Sequence, residues 1–363
     1  MKVPVDRIEV AAYTVPTDAP EADGTLEWDA TTIVVVHAHG GGATGLGYTY
    51  ADPSTATLIH TKLAGVVQHR DATAPRSSWA AMVRATRNLG RPGITSMAIS
   101  AVDVALWDLH ARLLEAPLAR VLGAAHDHVP VYGSGGFTAY SNQRLQEQLA
   151  GWVSQGIPRV KMKVGSHPRR DPERVRAARE AIGPDTELFV DANGAYSRQQ
   201  ALALAATFRE VAGVSWFEEP VSSDDLTGLA LVRARAPAGM DIAAGEYGYD
   251  AVYFERMVQA GAVDVLQADI TRCGGVTELL RAGAICRAHN LPLSLHCGPA
   301  IHVHPATALE PLRHLEYFHD HVRIEAMLFD GLPELRDGAL WPDLDRPGLG
   351  LELKRADAET YAA

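Results

Sequence analysis

The chain has 363 residues, 33 basic and 44 acidic, and a formal charge of −11 with neutral histidine. This length suits a barrel with an accessory domain, and this charge opposes non-specific association with nucleic acid or anionic membranes. Three cysteines without paired spacing, Cys273, Cys286 and Cys297, argue against a disulfide framework or structural zinc module; the N-terminal MKVPVDRIEVAAYTV lacks the apolar run of a signal peptide or membrane span, so a soluble, cytoplasmic protein is expected.

Residues 7 to 14 and Thr31 to Ala38 (TTIVVVHA) predict two strands, and the Asp-, Pro-, Glu- and Gly-rich segment between them, Pro16 to Asp29, predicts a mobile loop. The glycines of GGGATGLG (Gly40 to Gly47) end in no Lys-Ser/Thr pair and form no dinucleotide fingerprint, so a turn or hairpin is expected there. Helical patterning runs from Ala56 to Leu89. Ser96 to Leu122 has apolar residues at spacings of three and four and predicts a strong amphipathic helix. A small α+β domain over residues 1–128 is the expectation.

From Val129 the texture alternates. VPVYGS, RVKMKVG, TELFVDANG, VSWFEEP, MDIAAGE, VDVLQADI, LPLSLHCG and RHLEYF are strand candidates, separated by helical stretches such as Arg174 to Ile182 and Arg198 to Val211. Alternation implies a parallel sheet, and eight strands imply a closed barrel over residues 129–328. The Pro- and Gly-rich tail, residues 329–363, suits a chain leaving the barrel to pack elsewhere.

Seven polar residues close or follow successive apolar runs: Lys163, Asp191, Glu218, Glu246, Asp269, His296 and Glu316, at gaps of 28, 27, 28, 23, 27 and 20 residues. Each gap is about one strand, one helix and two short loops, so the residues converge on one barrel mouth. Asp191, Glu218 and Glu246 in phase would repel one another unless a cation compensates, and all-oxygen ligands with room for water or substrate suit Mg²⁺. Either glutamate of FEEP, Glu218 or Glu219, could face the ion. Local helix caps or ion pairs are the plain structural alternative for any one acid. Lys161 and Lys163 of KMK share one strand face; their mutual repulsion is expected to lower the pKa of at least one, as a base near neutral pH requires. Asp269 can accept an imidazole N–H from His296 and raise its basicity, giving a second proton carrier. Glu316 could hold or protonate a substrate oxygen, or neutralise a histidine. A hard cation with two opposed bases fits removal of a proton next to a carboxylate, through an enediolate.

The ordered motifs SAVDVALWDLHARLLEAPLARVLGA, KMK, VDANGAY, FEEP, GE, QAD, LHCG and LEYF, with PGLGLEL near the end, resemble the enolase superfamily, in particular its mandelate racemase subgroup, over essentially the whole chain. The resemblance implies an α/β fold, a modified TIM barrel (β/α)7β with an α+β capping domain formed from the N-terminal region and the C-terminal tail. It implies Asp191, Glu218 and Glu246 as Mg²⁺ ligands, Lys163 and His296 as bases, Lys161 and Asp269 as their supports, and Glu316 as the acid hydrogen-bonding the substrate carboxylate. The Pro16 to Asp29 loop would close over substrate, with Trp28 or Tyr48 contributing to specificity. A small-molecule carboxylate partner and a homo-oligomer are expected, without nucleic acid or membrane. Tyr48, Thr49 and Tyr50 stand where the family often has a glutamate, Tyr247 follows Glu246, and CGPAIHVH follows His296 unlike the racemase, so the substrate stays open. Many relatives with this residue set resemble acid-sugar dehydratases. Dehydration of an aldonic or aldaric acid is therefore the leading expectation, with a racemase, epimerase or cycloisomerase next and a noncatalytic sugar-acid-binding barrel last. His302, His304, His319 and His321 could serve a polyhydroxylated substrate.

Overall fold

A computed structural model describes residues 2–363. Strands β1 (Arg7–Ala22), β2 (Glu27–Gly40) and β3 (Ala43–Tyr50) form an antiparallel sheet in that order. Helical pieces α1 (Ser54–Leu58), a π turn (Ile59–Leu63) and α2 (Ala64–Val67) follow, then α3 (Pro75–Ala85), α4 (Ile94–Leu113) and α5 (Leu118–Leu122).

Two expectations for this region change. Ser96 to Leu122 is not one helix: Glu115 takes a left-handed φ of 52° and Pro117 cannot donate a backbone hydrogen bond, so the chain breaks between α4 and α5. Nor is α4 amphipathic, since it is buried on nearly every face from Thr95 to Leu109. Gly45 and Gly47 explain its close seat on β3, because a Cβ at either would collide with helix backbone at Ala105, Leu109 or Ala101. The Pro16 to Asp29 segment is not an irregular loop either. β1 and β2 remain paired to Glu21↔Trp28 and Ala22↔Glu27, after a register shift between Pro16 and Glu21 absorbs the proline-containing stretch.

Eight parallel strands follow: β4 (Val129–Gly135), β5 (Arg159–Lys163), β6 (Glu187–Asp191), β7 (Trp216–Glu218), β8 (Asp241–Ala244), β9 (Val265–Ala268), β10 (Leu293–Leu295) and β11 (Leu312–Phe318). They pair in sequence order and β11 returns to β4, closing the barrel. Helices α6 (Asn142–Ser154), α7 (Asp171–Ile182), α8 (Arg198–Ala212), α9 (Leu226–Arg235), α10 (Ala251–Gln259), α11 (Val276–Ala288) and α12 (Pro299–Ala306) connect them, and α13 (His319–Leu328) follows the eighth strand. Every expected strand segment contributes one strand. Their outward residues pack under the helices in one large core, whereas Tyr132, Phe189, Trp216, Ala243 and Val265 form a separate cluster inside the barrel. Among the described residues no helix is long and apolar enough to cross a membrane.

The tail returns to the cap. Leu349 N–H (2.6 Å) and Leu46 N–H (2.7 Å) both donate to Asp108 of α4, which also pairs with Arg112 at 2.8 Å; Tyr13 bridges Ala362 at the C-terminal end. Asp108 is fully buried, so Asp108→Ala strands two backbone donors and should lower stability by on the order of 3–5 kcal/mol, read from the urea midpoint.

Candidate active site

Strand alternation puts one chemistry-bearing face inside the barrel. On β5, Lys161 and Lys163 point inward between Val160 and Met162; on β7, Trp216 and Glu218 point inward around Phe217. Register then places ladder residues side by side, Lys163 opposite Asp191 and Asp191 opposite Glu218. Glu246, Asp269 and His296 follow the ends of β8, β9 and β10, and Glu316 lies on β11. All eight expected residues meet at one mouth, each at most 5% exposed.

Asp191, Glu218 and Glu246 each offer an oxygen within 4.8 Å of the others. Of the FEEP pair, Glu218 joins this cluster, while Glu219 takes a left-handed φ of 38°. Glu246 Oε2 is buried without a hydrogen bond although His296 Nε2 lies 3.3 Å away. Three buried carboxylates with an unsatisfied oxygen fit a hard divalent cation in chemistry and arrangement.

The lysines pair with acids rather than confronting each other. Lys161 Nζ lies 2.6 Å from Glu218, 2.9 Å from Glu316 and 3.5 Å from Asp191, and sits 5.2 Å from the centre of the Tyr132 ring. Lys163 Nζ lies 2.5 Å from Asp191. The expected fall in lysine pKa is therefore reversed: burial favours the neutral amines, but Glu218 and Glu316 hold Lys161 well above its ordinary value, and Asp191 holds Lys163 above its own. On the acid side burial opposes charge, yet Lys163 and Lys161 keep Asp191 below the usual carboxylate range, and Lys161 and His296 keep Glu316 well below it. Glu218 goes the other way, pushed up to about 8 by burial and the Asp191 charge.

Across the mouth, Asp269 Oδ2 accepts from His296 Nδ1 at 2.8 Å, and Thr271 N–H fixes the other Asp269 oxygen at 2.7 Å. Burial favours neutral imidazole, but Glu246, Glu316 and the Asp269 hydrogen bond raise the His296 pKa above its usual value. Arg272, which the sequence reading missed, spans Glu246 (3.0 Å) and Asp269 (3.6 Å). Ser134, donating to Glu316 Oε1 at 2.5 Å, was also missed. Its signal was available, since it stands next to the end of the first barrel strand in phase with the ladder; Arg272 carried none.

The β1–β2 hairpin covers the mouth. Ala22 and Asp23 carbonyls accept from Thr138 at 2.8 Å, Asp23 also accepts from Ser166 at 2.6 Å, and Trp28 packs edge-on against Phe137 at 5.6 Å. Trp28 thus packs beside the Phe137, Tyr140, Cys297 and Phe318 cluster at the mouth. Tyr48 does not: it is fully buried in the seam with α13, donating to Glu325 at 2.6 Å and stacked on Phe329. The extra histidines are also structural. His302 accepts from Ile270 N–H (2.9 Å) and donates to the Cys297 carbonyl (2.8 Å), His319 pairs with Asp18 (3.2 Å), and His321 stacks on Tyr50.

Burial lowers the His304 pKa to about 4. A depressed histidine contributes stability above its unfolded value near 6.5 that is lost as pH falls toward the folded value. Between pH 7 and pH 5 His304 should cost about 2 kcal/mol, and His304→Gln should reduce the acid-induced fall in urea stability by that amount.

Fold and site together define a capped parallel-barrel protein with a carboxylate, lysine and histidine mouth. The mandelate racemase / muconate lactonizing enzyme N-terminal domain matches residues 7–123, and the enolase C-terminal domain-like family matches residues 144–358. The chain belongs to the mandelate racemase / muconate lactonizing enzyme family of the enolase superfamily. It is 32% identical over 359 residues to a 3,6-anhydro-α-L-galactonate cycloisomerase of Streptomyces coelicolor, covering 96% of this chain and 97% of that protein. A mandelate racemase/muconate lactonizing enzyme-like protein of Rubrobacter xylanophilus superposes with TM-score 0.97 at 60% identity, covering 99% of this chain and all of that one. An L-talarate dehydratase of Polaromonas, solved with Mg and L-glucarate, superposes with TM-score 0.89 at 27% identity, covering 99% and 98%.

Proposed function

We propose that this chain is a Mg²⁺-dependent sugar-acid dehydratase, removing the proton next to a carboxylate and then a β-hydroxyl to leave a 2-keto-3-deoxy acid. Asp191, Glu218 and Glu246 would hold the cation. When bound, Mg²⁺ supplies positive charge at the substrate carboxylate, where electrons from the broken C–H bond accumulate, and takes a share of the Asp191 charge that otherwise retains the Lys163 proton.

The observation that carries the reading is that the two proton carriers have different counter-ions, Asp191 for Lys163 and Asp269 for His296. Asp191 belongs to the carboxylate cluster, so Lys163 is the base for the α-proton. Asp269 stands outside it, so His296 keeps its proton and delivers it to the departing hydroxyl. Lys161 stays cationic and holds the substrate carboxylate. Glu316 is anionic at neutral pH and accepts hydrogen bonds; it orients Lys161 and a substrate hydroxyl rather than donating to the carboxylate.

The Mg- and L-glucarate-bound Polaromonas dehydratase supports the substrate class. Purified protein with Mg²⁺ and a panel of aldonic and aldaric acids should form 2-keto acid from at least one. A second reading, cycloisomerisation or epimerisation of a related sugar acid or lactone, is favoured by the end-to-end likeness to the Streptomyces cycloisomerase. Solvent-deuterium exchange at the α-carbon without 2-keto acid would move the assignment there, and absence of both would overturn proton abstraction.

A further inference from the structure

His296, Cys297 and Glu316 form a second donor cluster at the mouth, sharing no residue with the three-carboxylate group but bordering it, with His296 Nε2 3.3 Å from Glu246 Oε2. His296 Nε2 and Cys297 Sγ are 3.3 Å apart, Cys297 Sγ and Glu316 Oε2 3.4 Å, and Glu316 Oε2 and His296 Nε2 3.6 Å. Tetrahedral zinc with ordinary Zn–N, Zn–S and Zn–O bonds has ligand-to-ligand edges of about 3.4–3.6 Å. The triangle already has the size of one tetrahedral face.

The remaining atom of each carboxylate and ring is anchored so that the facing donor points into this triangle. Asp269 holds His296 through Nδ1, which leaves Nε2 as the inward atom, the arrangement by which a carboxylate orients a zinc-binding imidazole. Ser134 and Lys161 hold Glu316 through Oε1, and Oε2 faces Cys297. Cys297 itself has a left-handed φ of 51°, unfavourable for a residue with a Cβ, and this turn brings its sulfur beside the side chain of its own neighbour. All three residues are at most 5% exposed. A thiolate and an imidazole select a borderline-soft ion over Mg²⁺, which prefers oxygen.

We propose that His296, Cys297 and Glu316 form an inhibitory site for zinc or a similar thiophilic divalent cation, beside the three-carboxylate site and with its own ligands. Binding releases two protons to solvent, that of the thiol and the Nε2 proton of the imidazolium, and the ion takes the Nε2 electron pair. His296 keeps only the Nδ1–H that Asp269 holds, so it has no Nε2 proton to deliver, and turnover stops while Mg²⁺ stays in place. The consequence for activity rests on the role given to His296 above; the binding does not.

The test uses Mg²⁺-saturated full-length protein titrated with Co²⁺. One equivalent should produce a near-ultraviolet thiolate-to-cobalt charge-transfer band with visible tetrahedral bands, all bleached by Zn²⁺. Cys297→Ser keeps the backbone N–H bond to Glu316; it should lose the charge-transfer band, retain turnover within a few-fold, and require at least 100-fold more zinc for inhibition. No sulfur-to-cobalt band in the unmodified protein, or equal zinc inhibition in Cys297→Ser relieved by excess Mg²⁺, would overturn the proposal in favour of simple displacement at the carboxylates. The cobalt spectrum is read without substrate, so it stands or falls independently of the dehydratase assignment. A band without zinc inhibition would retain the binding site and remove the inhibitory role.

Discussion

Lys163→Ala should reduce turnover by roughly 10³-fold or more and abolish solvent-deuterium exchange at the α-carbon, since a positioned proton acceptor commonly contributes ~10²–10⁴-fold. The paired variant makes the role specific. His296→Asn should lose 2-keto acid formation by a similar factor yet retain measurable α-exchange, because the C–H bond still breaks at Lys163 while the β-hydroxyl has no acid to leave with. The opposite pattern, exchange surviving Lys163→Ala and vanishing in His296→Asn, would swap the two assignments. Full turnover in both would remove these residues from the chemistry. Folding should survive in Lys163→Ala, because Asp191 retains Lys161 at 3.5 Å and the Asn193 N–H at 2.9 Å, and in His296→Asn, because Asp269 retains the Thr271 N–H at 2.7 Å and Arg272 at 3.6 Å.

Glu218→Gln should separate metal binding from folding. Lys161 Nζ at 2.6 Å and Trp216 Nε1 at 2.9 Å both donate to the Glu218 oxygens, so the amide NH2 of the variant must face one of these donors. Metal-free stability should therefore fall by about 1–3 kcal/mol, and the Mg²⁺ effect is read as the rise from that new baseline. Mg²⁺ affinity should fall by more than the roughly 10–100-fold that loss of an outer-shell partner costs, and turnover should fall with it. By linkage, a metal at 100 times its Kd raises stability by about 2.7 kcal/mol; that Mg²⁺-dependent rise in melting temperature should be largely lost in Glu218→Gln. Equal Mg²⁺ stabilisation in the variant and the parent would take Glu218 out of the cation site.

The ladder was readable because strand geometry is local. Alternation gives Lys161 and Lys163 one face, and repeated βα lengths bring Asp191, Glu218 and Glu246 into phase without knowledge of any distant contact. Where the local rules met a long-range partner, they failed in identifiable ways. Pro16 to Asp29 has loop composition, but hydrogen bonds to Thr138 and Ser166 hold it as a hairpin tip. α4 has helical spacing, but layers on all sides bury it. Tyr48 lay near an expected specificity region by sequence offset, yet the register of β3 turns it into the seam with Glu325.

By itself the sequence determined the barrel, a small N-terminal α+β domain, and the chemical types gathered at the mouth, because periodicity and repeat length depend on neighbours along the chain. Only the tertiary structure decided which charges meet. Lys161 and Glu218 are 57 residues apart, and Ser134 and Glu316 are 182 apart. Contacts at 2.5–3.6 Å in a buried site outweigh the lysine repulsion visible along the strand, and they turn the pKa shifts of Lys161, Lys163, Asp191, His296 and Glu316 against the direction that burial favours. The same convergence brings Cys297, which the sequence marked only as an unpaired cysteine, beside His296 and Glu316.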